Sequence, residues 1–575
     1  MKTHRIAGLA RRDWQDLVQE TQGPLSEALR TEGSEGLLRP IQAVGLREAL
    51  ECGGAFIMAD VGVGKTLVSL LVGELMQEER VLILVPSGVK AKTEDEFNQY
   101  RKEWNGVRGE RYKLFGYHDV SRFPKEGFSL QRLWNGQGPT LIVVDEADKL
   151  RRVDVNSGAS GLALQVNDYL VANPSTKLVA LTATPDKSGV KDYSHLLQWC
   201  LREGSPLPDN PEDIADWSAV IDKGDMHAAR KVCIQMGIEP TEDLDTIRAG
   251  YHARLKQTKG VLISDEGFAG SLEFECHLVE PPPMMVPHFH RARKLNQRPD
   301  GWDLSPDGPV DEDEERRPDR ITEGGVWACE RQLALGFCYV ADPVPPPDWM
   351  EARREWFKAI RYYIRSRAFY TALQVQQAAD RGELKKVHQK AYARWTAMKP
   401  TFTPSFKALW LSDHMLNWCA SWGNEAPGIV WTDHIAFGLE LSKLTGWRYF
   451  QGGGKDRHGK SIEKASSKET IIASRSANST GRNLQKPPHD WHRNLVTAMP
   501  ANNRDFQQMV GRTHRSGQPN PVHVDVLIAT KAHFESLAKV LDDAARQSAS
   551  IMQQKAHVFP WTFPSHLPEG VVFCD

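Results

Sequence analysis

The residues best equipped for chemistry in this chain are a lysine and a threonine that close a glycine-containing loop. Met58-Ala-Asp-Val-Gly-Val-Gly-Lys-Thr66 follows an apolar stretch (Ala55, Phe56, Ile57, Met58) and leads into Thr66-Leu-Val-Ser-Leu-Leu-Val-Gly-Glu-Leu-Met, so the order reads strand, loop, helix. Such a loop, here Asp60, Val61, Gly62, Val63 and Gly64, lets backbone N–H groups wrap phosphates at a helix N-terminus. Lys65 would reach the β- and γ-phosphates, and the Thr66 hydroxyl would hold magnesium. Ala59 stands where the strict phosphate-loop pattern has its first glycine, and a glycine-rich turn is the plainer alternative.

Two further strands end in reactive side chains. Thr140-Leu-Ile-Val-Val-Asp145-Glu146-Ala147-Asp148 is the continuous apolar run of a parallel strand buried on both faces, and it ends in acids. Ligands of parallel sheets sit at the carboxyl ends of the strands. Asp145 is therefore the expected magnesium ligand and Glu146 the expected general base toward water. Lys177-Leu-Val-Ala-Leu-Thr-Ala-Thr-Pro185 places Thr182 and Thr184 where they could bond to that acidic strand end. In the last third, Phe506-Gln-Gln-Met-Val-Gly-Arg512-Thr-His-Arg515-Ser-Gly-Gln518 sets Arg512 and Arg515 three apart, which puts them on one face if the segment is helical. Guanidinium groups so presented can neutralise a transferring phosphoryl group; a surface helix carrying arginines is the alternative.

These segments in this order resemble superfamily 2 helicases and translocases, in their Swi/Snf-like branch. Asp145–Asp148 and Thr182–Pro185 look like that superfamily's second and third motifs, and Leu38-Arg-Pro-Ile-Gln42 looks like the motif whose glutamine reads adenine. Val81-Leu-Ile-Leu-Val-Pro86-Ser87 is similar to the strand whose end touches the nucleic-acid backbone. Ser479-Thr480-Gly-Arg-Asn-Leu-Gln485 and Gln508–Gln518 look like the fifth and sixth motifs, with Arg482 at a position often apolar. By this resemblance Gln508, Arg512 and Arg515 join Lys65, Asp145 and Glu146 in ATP hydrolysis, and Pro86, Ser87, Thr432, Ser479 and Thr480 are candidates for nucleic-acid contact. It implies two RecA-like α/β lobes, each a parallel sheet with helices on both faces, with ATP and Mg²⁺ in the cleft between them. The implied function is a duplex-DNA translocase, similar to compact bacteriophage- or bacteria-encoded forms. A strand-separating DNA or RNA helicase, or the motor subunit of a restriction or defence complex, is the alternative.

At 575 residues the chain needs more than one core. Expected divisions are an N-terminal extension (1–35), lobe one (36–205), a partly helical insertion and linker (206–405), lobe two (406–550) and a tail (551–575). Within the insertion, Trp356, Ile360, Tyr363 and Ile364 repeat at helical spacing among Arg353, Arg354, Lys358, Arg361, Arg365 and Arg367. That reads first as an amphipathic helical pair with a solvated basic face, and second as a nucleic-acid-gripping protrusion. Gly452-Gly-Gly-Lys455 is followed by Asp456 and reads as a flexible loop.

Net charge is −2, so phosphate contacts must come from local basic surface. The eight cysteines include no Cys-x-x-Cys pair, which argues against a zinc ribbon and a disulfide framework, and no metal is expected at Cys276-His277 or His288-Phe-His290. No stretch reaches membrane-spanning length and the first residues lack a secretory apolar run. A cytoplasmic protein is expected (host cytoplasm if viral), monomeric when unbound, with DNA as partner and a protein partner possible in principle.

Overall fold

The computed structural model describes residues 4–59, 63–122, 129–150, 161–183, 189–264, 271–295, 298–299, 326–366, 369, 372–403, 405–479, 482–485, 490–500, 502–515 and 517–547. Asp60, Val61, Gly62, Thr184, Pro185 and Thr480 lie outside the described residues, as do the acidic block 311–315 and the expected tail 551–575.

The chain divides into two compact units, the bulk of one being Met1–Gly267 and of the other Phe268–Asp542. In the first, β1 (Gly54–Met58), β2 (Val81–Val85), β3 (Tyr112–Gly116), β4 (Leu141–Asp145), β5 (Lys177–Thr182) and β6 (Val261–Ile263) form one sheet in the order β3-β2-β4-β5-β1-β6. Every pairing in it is parallel. Consecutive side chains of a strand point to opposite faces, and here both faces are covered. Phe56, Met58, Leu82, Leu84, Ile142 and Val144 enter one core, while Ala55, Ile57, Val81, Ile83, Leu141 and Val143 enter another. That double burial is why these strands read as unbroken apolar runs.

The second unit repeats the plan. It contains β7 (Leu272–Leu278), β8 (Phe337–Ala341), β9 (Phe406–Trp410), β10 (Ile429–Thr432), β11 (Arg448–Phe450), β12 (Ile471–Ser474), β13 (Arg493–Val496) and β14 (Val522–Ile528). Six of them form a parallel sheet in the order β11-β12-β10-β13-β14-β7, and β8 pairs with β9 as an antiparallel ribbon. Ile429 and Trp431 face one core and Val430 the other. Between β8 and β9 the chain makes three helices, Pro347–Arg365, Ala372–Asp380 and Lys386–Met398, around an aromatic core of their own that includes Trp349, Trp356, Tyr363 and Trp395.

The expected divisions change in two places. Residues 4–35 are no free-standing extension: Trp14 and Leu29 enter the first unit's core, and Arg12 clamps the fully buried Glu48 carboxylate with two bonds of 2.6 Å. The stretch 206–405 is not one insertion. Its first part supplies β6 and the helices Pro211–Lys223, Ala229–Met236 and Leu244–Gln257 to the first unit, and its remainder builds the second. Among the described residues no helix is long and apolar enough to cross a membrane.

Candidate functional site

The carboxyl ends of β1, β4 and β5, neighbours in the order β4-β5-β1, bring together most of the side chains singled out in the first unit. Register is tight: Met58 lies opposite Thr182, and Asp145 opposite Leu181. Ala59 extends the ladder by donating its N–H to the Thr182 carbonyl at 2.9 Å, and it is packed in the core with no left-handed backbone. A glycine is therefore not required there. Glycine is required at 64, where φ is +84° and a Cβ would overlap the Gln42 amide. Lys65 starts the helix Lys65–Leu75, with Thr66 in its first turn, and the lysine ammonium donates to the Ala59 carbonyl at 2.7 Å.

Gln42 is buried and joined to this loop. Its amide nitrogen donates to the Val63 and Gly64 carbonyls, both at 3.0 Å, while its oxygen accepts from the Arg39 N–H at 2.8 Å. The residue expected to read adenine thus holds the loop.

Asp145 and Glu146 form the acidic corner. Burial pushes the Asp145 carboxyl up to about 7, and the neighbouring Glu146 charge adds to the rise; the Lys65 ammonium and the Glu146 N–H oppose it. Glu146 has a left-handed backbone at φ +54°, and its Oε2 is buried without a hydrogen-bond partner. The expected tie from Thr182 to the acidic end is present as a long contact, its hydroxyl 3.5 Å from Asp148 Oδ1.

Two residues of this corner carry no local signature. The Tyr117 hydroxyl donates to the carbonyl of Asp145 and, at 3.2 Å, to that of Glu146. His195 bonds the Leu150 carbonyl at 2.6 Å, and burial drives its imidazole down to about 4, so it is a neutral structural histidine. A tyrosine just after β3 is the only sequence sign of the first contact. Pro86 and Ser87 are half-buried at the carboxyl end of β2, beside β4.

In the second unit the arginine pair is placed differently from expectation. The helix Asn503–Val510 stops short of both, and residues 511–515 are turns, so Arg512 and Arg515 do not share a helix face. They converge instead on the Arg482 carbonyl, Arg512 Nη1 at 3.1 Å and Arg515 Nη1 at 3.5 Å, and Arg515 also donates to Asn483 Oδ1 at 2.7 Å. Gln508 is buried on that helix and its carbonyl accepts from Arg512 Nε. Gln518 ties the turn by donating to the Trp491 and Thr513 carbonyls at 2.9 and 3.1 Å. Arg482 itself donates to the Gly453 carbonyl at 2.6 Å, which fastens the loop 452–455 read as flexible.

Two of the nucleic-acid candidates need correction. Thr432 is buried with its hydroxyl accepting from the His434 N–H, and Ser479 is buried as well, so neither presents a surface for a phosphate. Beside Thr432 the sequence reading missed a charged core. Arg331 donates to the Met499 carbonyl, Ser536 and Asp433, and Arg475 takes the other oxygen of Asp433. Burial works against the Asp433 charge, but Arg475 and Arg331 outweigh it and hold the carboxyl below its usual range.

Among the described residues one cluster has metal-type ligands close together, Glu275, His277 and Asp525, within 4.8 Å of one another. Its imidazole turns Nε2 to Asp525 at 2.7 Å and Nδ1 to Glu275 at 4.0 Å. One nitrogen facing each carboxylate is the geometry of an ion pair, not of a shared cation.

Compared with known proteins, the chain matches no family model and no curated protein.

Proposed function

We propose that the chain is an ATP-hydrolysing motor of the superfamily 2, Swi/Snf-like kind, with two RecA-like lobes, and that it moves along duplex DNA. The observation that carries this reading is the acidic corner: Glu146, in a left-handed backbone with a buried and unpartnered carboxylate oxygen, adjoins Asp145, whose carboxyl feels the Lys65 ammonium. Strained backbone and an unmet buried acceptor are costly to a fold and concentrate at functional sites.

On this reading the loop amides and Lys65 bind the phosphates, and Thr66 with Asp145 would hold Mg²⁺, which supplies charge neutralisation when bound. The unmet Glu146 oxygen and the glycine held against Gln42 fit a loop built around a ligand. Glu146 takes the proton from attacking water. Gln42, already on the loop, couples adenine recognition to loop position.

The test is steady-state ATP hydrolysis with no nucleic acid, single-stranded DNA, duplex DNA and RNA, at two salt concentrations. Stimulation chiefly by duplex DNA, weakening with salt, is expected. Stimulation chiefly by single strands or RNA would replace the translocase with a strand-separating helicase. Lys65→Ala should abolish turnover, Glu146→Gln should keep ATP binding and lose turnover, and Arg515→Ala should lower turnover by roughly 10³ with binding spared. Wild-type turnover in Lys65→Ala and Glu146→Gln would overturn the site.

A further inference from the structure

At the carboxyl edge of the second sheet, three neighbouring strands end in one charged cluster. Asp433 follows β10, Arg475 follows β12, and the Met499 carbonyl lies just beyond β13. The Asp433 carboxylate sits between two guanidinium groups: Arg475 Nε donates to Oδ1 at 2.5 Å, and Arg331 Nη2 donates to Oδ2 at 3.3 Å. Arg331, on the helix Val326–Ala334, also donates to the Met499 carbonyl at 2.6 Å and to the Ser536 hydroxyl at 3.1 Å. Its side chain is 6 % exposed and that of Asp433 19 %, so both charges are largely withdrawn from water. Desolvation of that kind offsets much of the attraction between the ions, and apolar residues of similar volume hold a fold as well. Stability alone gives little reason for such a cluster.

Its connections lead to the arginine turn. Arg475 opens the short helix Arg475–Asn478, and the same segment continues to Arg482, whose carbonyl accepts from both Arg512 and Arg515. Asn478 fastens this helix by donating to the Phe450 carbonyl at 2.9 Å. The far end of the Arg475 guanidinium lies 3.6 Å from Asp505 Oδ2. Asp505 stands in the first turn of the helix Asn503–Val510, where the Asn502 side chain accepts its N–H and donates to its carboxylate, both at 3.0 Å. That helix carries Gln508, whose carbonyl accepts from Arg512 Nε at 2.8 Å. The stretches 475–483 and 503–515 are thus joined twice, by Arg475 with Asp505 at one end and by the Arg482 carbonyl at the other.

We propose that Asp433 is a positioning residue for ATP hydrolysis: by fixing the direction of Arg475 it sets the start of the helix Asn503–Val510 and, through Gln508, the placement of Arg512 and Arg515. The inference deepens the motor reading and rests on it. Asp433 bonds to neither arginine of the turn, so its effect on turnover passes through them. Residues that act through one shared element lose their separate effects when removed together.

The experiment is a double-mutant cycle on the full chain, read as steady-state ATP hydrolysis at saturating duplex DNA. Asp433→Asn keeps the side-chain shape and removes the charge; it should lower kcat about tenfold with KM for ATP within about twofold of the parent. Added to Arg515→Ala, the same change should cost less than about twofold. Asp505→Asn weakens only the joint to Arg475, so it should reproduce the loss even if Asp433→Asn does not fold. Parental kcat in both variants, with or without a lowered melting temperature, would overturn the positioning role. So would an undiminished loss from Asp433→Asn once Arg515 is already alanine. A parent chain that hydrolyses no ATP, or an Arg515→Ala variant with parental turnover, would instead overturn the motor reading, and the inference with it.

Discussion

Glu146 holds a backbone conformation that an L-residue with a Cβ adopts at a cost of about 1–2 kcal/mol. What keeps it there is Tyr117, whose hydroxyl bridges the carbonyls of Asp145 and Glu146 from a buried position. Those bonds go to the backbone of the acid pair, which makes the tyrosine a positioning residue for it. Tyr117→Phe removes one donor from two buried carbonyls, a loss of about 1 kcal/mol. Nucleic-acid-stimulated kcat should fall about tenfold, with KM for ATP within about twofold of the parent. A lowered melting temperature with unchanged kcat would assign Tyr117 to the fold alone. Gly64 shows the same economy from the other side, because the space a Cβ would fill is taken by Gln42.

At the scale of elements, the edge strand β7 is bound to β14 along its whole length, Leu272 opposite Val522 through Leu278 opposite Ile528. One face of this ladder is charged: His277 bonds Asp525, which also accepts from the Trp422 indole, and His523 lies 2.9 Å from Glu273. The hydrogen bond to Asp525 raises the His277 pKa above its usual value despite partial burial. A raised folded pKa means the contribution to stability is fully present below the unfolded value of about 6.5 and fades as pH climbs through the folded one. His277→Ala should therefore destabilise the protein more at pH ~6 than at pH ~9, by about 1 kcal/mol for this partly buried pair, read as a larger drop in melting temperature at the lower pH. A destabilisation that is the same at both pH values would mean that His277 contributes by packing on Trp418, 5.1 Å away.

Each unit is a six-stranded parallel sheet with a core on either face, so each has the requirements of an independently cooperative body. Two such bodies in one chain depart from two-state unfolding. Calorimetry should resolve two transitions, and Phe56→Ala, which opens a cavity worth about 3–5 kcal/mol in the first sheet, should move only one of them. A single transition whose van't Hoff and calorimetric enthalpies agree would show that the units unfold as one.

The local part of this protein was readable in the chain. Strands β1, β2, β4, β5, β10 and β12 announce themselves because a parallel strand buried on both faces is apolar nearly throughout, β14 by the alternation Val522-His-Val-Asp-Val, and the helix after Gly64 because its glycine, lysine and threonine occur in sequence. Only tertiary structure could divide residues 206–405 between two units, since the three-residue β6 and the alternating β7 acquire meaning from the strands beside them. The same holds for Tyr117 on Asp145, Arg331 on Asp433, and the arrival of Arg512 and Arg515 at the Arg482 carbonyl from turns instead of a helix. Periodicity reports which face of an element is buried; which distant backbone a side chain meets is decided by how the elements pack, and that leaves no local mark.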